Sequence, residues 1–175
     1  MRCYMEKYDL YDDERNLLGK TLTRGEEPGK GENRMVVHIC IFNSKGEMLI
    51  QQRVDEKKFF PSLWDISVGG CSVAGETSRM AAHRELLEEM GIDLDFSKKR
   101  AFFTINFHHG FDDWYILNNM DIDISTLTLQ ADEVQGVKWA SLDEILDLLK
   151  DNKFIPYKPS FISALFDFRI ERGLY

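Results

Sequence analysis

The stretch GCSVAGETSRMAAHRELLEEMGI, from Gly70 to Ile92, determines most of what we expect of this chain. It joins a glycine-containing turn to a predicted amphipathic helix. At about 100° per residue, the helix places Glu85, Glu88 and Glu89 on one arc and its apolar residues on the other side. Like charges spaced three and four residues apart repel by a few tenths of a kcal/mol per pair, so this arc needs a compensating cation.

Carboxylate oxygens are the ligands that hard divalent cations prefer. Mg²⁺ also keeps several waters when it binds protein, which leaves room for substrate phosphates beside it. The three glutamates therefore predict a divalent metal site that serves a phosphorylated substrate. The alternative is a solvated glutamate-rich helix face, which composition alone favours.

The spacing across the whole stretch resembles the Nudix box. Gly70 is followed after five residues by Glu76, and seven further residues lead to Arg84. After Arg84 the chain matches every defined position of the box pattern. These positions are Glu85, Leu86, Glu88, Glu89, Gly91 and Ile92. The chain is thus similar to the Nudix hydrolases.

This resemblance implies an α/β protein of the α+β kind, the Nudix fold, in which a mixed β-sheet is sandwiched between helices. It also implies a Mg²⁺- or Mn²⁺-dependent hydrolase. The expected reaction is the cleavage by water of a pyrophosphate bond in a nucleoside diphosphate linked to another moiety, or in a similar small diphosphate.

The resemblance also assigns roles to residues of the box. Glu85, Glu88 and Glu89 are the expected metal ligands, together with the main-chain carbonyl of Gly70. Glu85 and Glu89 are the candidate catalytic carboxylates, and which of them acts as the base stays open. The number of metal ions also stays open.

Further residues receive structural or catalytic roles. The resemblance implies an ion pair between Glu76 and Arg84 that braces the loop and the helix, whereas Gly91 is predicted to end the helix in a left-handed conformation. Glu133, six residues before Trp139, is a third candidate catalytic carboxylate. Its alternative role is a solvated carboxylate at the start of a strand.

Length and composition favour a single globular domain. The chain has 175 residues, of which 43% are hydrophobic, so it is long enough to bury a sizeable core. We expect residues 1–32 to form an N-terminal β-hairpin and loop within that domain, and residues 33–175 to carry the Nudix domain, with the box at 70–92.

Charge and cysteine content restrict the partners and the compartment. A net charge of −8 disfavours nucleic acid as a partner and favours a small molecule. Three widely spaced cysteines, Cys3, Cys40 and Cys71, suggest neither a disulfide framework nor a zinc site, which fits the cytoplasm. No apolar run is long enough to span a membrane.

The remaining elements follow from periodicity and turn residues. We expect two short strands within 5–23, and an apolar strand at Met35–Phe42 with Glu47–Arg53 as its antiparallel partner. A second hairpin is predicted from strands 101–108 and 114–121, with Gly110–Asp113 as its turn. Ser141 and Glu144 predict a capping box that begins a helix. A final helix at Ser160–Arg172 needs a surface for its apolar residues, either the sheet or a second subunit in a homodimer.

The segment between Arg53 and Val68 carries candidate substrate contacts, Lys58, Phe59 and Trp64. With the box and the early strands, it resembles the branch of Nudix proteins that includes isopentenyl diphosphate isomerase. That family uses a cysteine before the box, where this chain has Gly69, and a metal-binding histidine where it has Cys71. These departures favour hydrolysis. An isomerase-like enzyme and a non-catalytic nucleotide-binding module remain the alternatives.

Overall fold

A computed structural model describes residues 6–170. Within this range the chain forms a mixed α+β structure, in which six strands precede the first helix. The strands are β1 (Lys7–Tyr11), β2 (Leu17–Thr23), β3 (Arg34–Ile41), β4 (Met48–Arg53), β5 (Trp64–Asp65), β6 (Val68–Cys71), β7 (Phe103–Phe107), β8 (Gly110–Leu117) and β9 (Val134–Ala140). The helices are α1 (Ser78–Met90), α2 (Leu142–Lys150) and α3 (Pro159–Phe168), and a 3₁₀ turn covers Ile124–Thr126.

The chain divides into two compact units, each of which draws on separate parts of the sequence. The first unit contains the residues up to His38, Gly69–Glu85 and Leu94–Tyr115. The second contains Ile39–Val68, Leu86–Asp93 and the residues from Ile116 onward. That residues 1–32 belong to the same domain as residues 33–175 stays a prediction.

The N-terminal hairpin of the first unit forms where the sequence predicts it. β1 and β2 pair antiparallel, with Lys7 opposite Thr23. The hairpin also bonds to the box loop, since Ala74 N donates to Lys7 O at 2.7 Å and Gly75 N donates to the Asp9 carboxylate at 2.7 Å. The hairpin extension therefore supports the loop that leads into α1.

The second predicted hairpin exists, but its predicted turn is wrong. Residues Gly110–Asp113 lie in β8, and the turn is His108–His109, since Phe107 pairs with Gly110. His109 adopts a φ of 61°, which lets two residues reverse the chain. In the four-stranded sheet, ordered β6-β3-β8-β7, this hairpin forms one edge.

Apolar packing in the first unit joins the hairpin to the sheet. Tyr11, Met35 and Phe111 form a buried cluster, in which the Tyr11 and Phe111 rings meet edge to face at 5.2 Å. Burial of such apolar and aromatic side chains stabilises the packing of the hairpin.

The second unit is built on a three-stranded sheet with the order β5-β4-β9. The predicted pairing of the Met35–Phe42 strand with Glu47–Arg53 is wrong, because β3 and β4 lie in different sheets. β4 pairs antiparallel with β9, from Met48 opposite Ala140 to Arg53 opposite Val134, and Phe42 and Met48 form only an isolated bridge. β4 is buried along Met48–Ile50, so pairing with β9 satisfies its main-chain groups in the interior.

Two helices complete this unit. α2 begins with the predicted capping box, because Ser141 Oγ accepts from Glu144 N and the Glu144 carboxylate accepts from Ser141 N. α3 ends at Phe168, before the predicted end at Arg172, which lies outside the described residues. Its apolar face is buried within the chain, and Phe166 meets Phe42 edge to face at 5.1 Å. None of the helices within 6–170 is both long and apolar enough to cross a membrane.

Candidate active site

The box turn and the first part of α1 meet at Gly70 in the first unit. A Cβ atom added to Gly70 would overlap the carboxylate of Glu85. Only glycine lets the main chain of β6 approach this carboxylate so closely. Glu85, the first of the three helix glutamates, therefore lies directly against the glycine whose carbonyl is the expected metal ligand.

Arg84 and Glu76 form the ion pair that the box resemblance implies. Arg84 Nε donates to Glu76 Oε1 at 2.7 Å, and Arg84 Nη2 donates to Glu76 Oε2 at 3.0 Å. Arg84 Nη1 also contacts Glu85 Oε1 at 2.9 Å, and Nη2 reaches the carbonyl of Cys71 at 3.0 Å. One guanidinium thus ties the loop, β6 and the metal-ligand candidate together.

Glu89 is a buried carboxylate in the second unit, with only 5% of its surface exposed. Gln51 of β4 donates from Nε2 to Glu89 Oε2 at 2.9 Å. Because a buried carboxylate needs hydrogen bonds, Gln51 holds Glu89 in place. Gln51 lies outside the box, so the box pattern does not assign it a role. A polar residue in the mostly apolar stretch MLIQQ was the available sign of a buried hydrogen-bonding group.

Glu88, the remaining box glutamate, is exposed on α1. No group of three His, Cys, Asp or Glu side chains within the described residues is arranged to hold a metal ion as the side chains lie. Glu85 accepts a hydrogen bond from Arg84, and Glu89 accepts one from Gln51.

The donor set nevertheless fits a hard divalent cation. Glu85, Glu88 and Glu89 provide carboxylate oxygens at i, i+3 and i+4 on one helix, and the close approach of Gly70 to Glu85 supplies a main-chain carbonyl nearby. Oxygen ligands of this kind suit Mg²⁺ or Mn²⁺ rather than a soft metal.

The end of α1 is also defined. Gly91 has a φ of 70° and donates from its N to Leu87 O at 2.9 Å, as in a left-handed helix end. Loop residues then bond to the last turn, since Gln130 N donates to Glu89 O at 3.2 Å and Thr128 N to Met90 O at 3.3 Å. The backbone of Glu89 is therefore held within the second unit.

Glu133 lies immediately before β9, which agrees with its alternative role as a carboxylate at the start of a strand. Its carboxylate forms an ion pair with Lys57, and both side chains are largely buried, with exposures of 26% and 16%. A role for Glu133 as base requires this ion pair to open.

The three predicted substrate contacts have different surroundings. Lys58 and Phe59 are exposed, and the Lys58 ammonium lies 5.3 Å from the Phe59 ring centroid. Trp64 is in β5, where its N donates to Lys153 O at 2.9 Å and Lys138 lies over its ring at 5.1 Å. Trp64 is thus part of the second unit's framework, whereas Phe59 is presented to solvent.

Gly69 lies against His38 in the first unit. A Cβ atom at Gly69 would come within 2.6 Å of His38 Cδ2, so a larger residue requires His38 to move. His38 is fixed by Asp112, at 2.7 Å from its Nδ1, and stacks on Trp114 with centroids 4.4 Å apart. The space for an isomerase-type cysteine side chain is therefore occupied by an imidazole.

Comparison with known proteins shows the family of this chain. The model of the NUDIX domain matches residues 32–161. An uncharacterised Nudix hydrolase of Listeria monocytogenes is 43% identical over 165 residues, which cover 94% of this chain and 96% of the relative. The chain belongs to the Nudix hydrolase family. Its family acts on diphosphate bonds with divalent metals, and so this protein is an enzyme of that type.

Two further matches of this Nudix hydrolase concern its fold and the alternative of an isomerase activity. A crystal structure from Deinococcus radiodurans superposes with a TM-score of 0.74 at 22% identity, over 91% of this chain and 99% of that one, which shows the same fold. An isopentenyl-diphosphate Δ-isomerase of Pectobacterium atrosepticum is 30% identical over 76% of this chain and 75% of the relative. This chain is thus similar in sequence both to the Nudix hydrolase of Listeria monocytogenes and to an isomerase.

Proposed function

We propose that this Nudix hydrolase cleaves the pyrophosphate bond of a nucleoside diphosphate linked to another moiety, or of a similar small diphosphate, with Mg²⁺ or Mn²⁺. The observation that carries the proposal is the complete set of box glutamates on α1, with the first of them, Glu85, lying directly against Gly70. A solvated helix face does not need this close approach.

In this proposal Glu85, Glu88, Glu89 and the Gly70 carbonyl hold the cation. When bound, a divalent cation neutralises charge on the bridging phosphates and lowers the pKa of a bound water. Arg84 orients Glu85, and Gln51 orients Glu89 by occupying its Oε2 atom. Either glutamate is then a candidate to take a proton from the attacking water, whereas Glu133 is paired with Lys57.

The isomerase alternative is disfavoured by the surroundings of Gly69. A cysteine at this position would overlap His38, which Asp112 and Trp114 hold in place. The non-catalytic alternative is disfavoured by the retention of all three box glutamates, since a binding module has no need of a base.

We also propose a small-molecule partner and a cytoplasmic location. The net charge of −8 opposes binding to a nucleic-acid backbone, and the free thiol of Cys71 suits a reducing compartment. Because the apolar face of α3 is buried within the chain, a homodimer is not needed to cover it, and dimerisation stays a prediction.

The decisive experiment is an assay of a panel of nucleoside diphosphate derivatives with saturating Mg²⁺ and detection of phosphate-containing products. Glu89→Gln should lower turnover on the order of 100-fold, since a general base contributes at least that much. Glu56→Gln, an exposed loop carboxylate, is the matched control and should retain turnover.

Isopentenyl diphosphate belongs in the same panel. Conversion of this compound without release of phosphate would support the isomerase alternative. Binding of diphosphates without turnover would support the non-catalytic module, and full activity in Glu89→Gln would contradict the proposed roles.

A further inference from the structure

Arg34, the first residue of β3, has an unsatisfied donor. Its Nε atom is buried and has no hydrogen-bond partner within residues 6–170. Leaving a buried donor without a partner is unfavourable, and more so when the group is charged. Such a group in a native protein requires an explanation.

Three other arginines of the first unit are paired with carboxylates. Arg15 contacts Asp113 at 2.8 Å, Arg24 contacts Glu6 at 2.8 Å and Arg84 contacts Glu76 at 2.7 Å. Among the described residues, Arg34 takes part in no ion pair. Its half-buried positive charge is therefore available to a negatively charged ligand.

The main chain places Arg34 beside the box turn. Its N donates to His109 O at 3.1 Å, and its carbonyl lies 2.8 Å from where a Cβ of Gly110 would be. The next residue, Met35, accepts a hydrogen bond from Ser72 N at 3.0 Å. The start of β3 is thus adjacent to the end of β6, two residues after Gly70.

The charges around Cys71 agree with this position. Burial raises the pKa of the Cys71 thiol, and the positive charges of Arg34 and Arg24 act in the opposite direction. The charges of Arg34 and Arg24 thus act on the thiol of the residue that follows Gly70. Arg24 shares its charge with Glu6, which leaves Arg34 as the stronger attractor of an anion at this turn.

We propose that Arg34 binds a phosphate oxygen of the diphosphate substrate. This inference rests on the proposed function, because a diphosphate supplies the anion that Arg34 lacks in the protein. A guanidinium offers a planar fork of donors that matches phosphate oxygens, and its Nε belongs to that fork. The substrate then satisfies a donor that is otherwise left without a partner.

The test compares Arg34→Gln and Arg34→Lys with the wild-type enzyme. Steady-state kinetics are measured with the best substrate of the panel, and calorimetry measures the binding of its methylene-bridged, non-hydrolysable analogue in Mg²⁺. Arg34→Gln should raise both KM and the Kd of the analogue at least 10-fold. Arg34→Lys should fall between this variant and the wild type, because it keeps the charge and loses the fork.

Lys20→Gln is the matched control, since it removes one positive charge from the same unit at an exposed side chain that pairs with Glu32. Its KM and Kd should stay within twofold of the wild-type values. Equal changes in Lys20→Gln and Arg34→Gln would reduce the effect to net charge and overturn the inference.

The failure of this inference is distinguishable from that of the proposed function. A wild-type enzyme that neither cleaves nor binds any diphosphate overturns both. A wild-type enzyme that does both, beside an Arg34→Gln variant with unchanged KM and Kd, overturns only the role of Arg34. Circular dichroism checks folding, and if Arg34→Gln does not fold, wild-type KM and Kd in Arg34→Lys overturn the role.

Discussion

At the scale of single residues, two adjacent glycines each make room for a different side chain. Gly70 admits the carboxylate of Glu85, and Gly69 admits the ring of His38. A side chain at either position would displace a neighbour, but only the displacement of Glu85 disturbs a candidate metal ligand. Close approach, not an unusual backbone conformation, explains the requirement for glycine at both positions.

Replacing Gly70 with alanine should abolish most activity. The new methyl group would force Glu85 away from its position, at a cost of about 1–3 kcal/mol in stability, as is typical of overpacking. We expect turnover to fall at least 10-fold, measured with the substrate panel, and the melting temperature to fall in circular dichroism.

Gly136→Ala is the matched control. Its nearest neighbour would be Gln52 Oε1 at 3.9 Å, an ordinary contact, so activity and stability should remain near those of the wild type. Wild-type turnover in Gly70→Ala would argue that Glu85 does not need its observed position.

At the scale of elements, one ion pair connects the N-terminal hairpin to β8. Arg15, in the turn between β1 and β2, donates from Nη1 and Nη2 to the two oxygens of Asp113, at 3.0 and 2.8 Å. Thr104 adds a hydrogen bond to Asp113 at 2.6 Å. Burial raises the pKa of Asp113, but the hydrogen bonds from Arg15, Thr104 and Ser78 and the charge of Arg15 outweigh it, so the pKa is lowered.

The lowered pKa predicts a pH-dependent effect of Asp113→Asn. A carboxylate with a depressed folded-state pKa contributes stability above its unfolded pKa of about 3.9, and this contribution is lost as the pH falls through the folded value. Asp113→Asn should therefore destabilise the protein at pH 7 by about 2 kcal/mol, since Arg15 is partly exposed.

Urea denaturation at several pH values measures this effect. The difference between wild type and Asp113→Asn should shrink as the pH falls below about 4. Asp147→Asn, an exposed carboxylate on α2, should show no comparable difference at pH 7. A difference that is independent of pH would mean that packing, and not the charge of Asp113, accounts for the loss.

At the scale of the whole molecule, metal binding and stability should be linked. A ligand that binds only the folded state stabilises it by an amount that grows with the ligand concentration. Under the proposed function, Mg²⁺ should raise the melting temperature of the wild-type protein, and a chelator should reverse this change.

Glu88→Gln gives the sharper form of this prediction. The variant removes one of the three neighbouring carboxylates of α1 and keeps the size of the side chain. Mg²⁺ should raise the melting temperature of Glu88→Gln by less than it raises that of the wild type. The same measurement on Glu144→Asp, which keeps a carboxylate at the start of α2, controls for a general effect of the salt. An equal rise in the melting temperatures of Glu88→Gln and the wild type would contradict metal binding at Glu88.

The sequence alone predicted the local features, because they depend on residues close together in the chain. The box helix, its end at Gly91, the capping box at Ser141 and the N-terminal hairpin all follow from spacing, turn residues and caps. The spacing of the box also identified the family, since no long-range contact is needed to recognise it.

Only the tertiary structure decided which distant residues meet. The pairing of β4 with β9, the hydrogen bond from Gln51 to Glu89 and the His38 ring at Gly69 join residues far apart in sequence. Hydrophobic periodicity shows that a strand is buried but does not choose its neighbour, because any apolar strand can cover another. The partners of buried polar groups are chosen by that packing, which is why the isolated charge of Arg34 becomes visible only once the strands are in place.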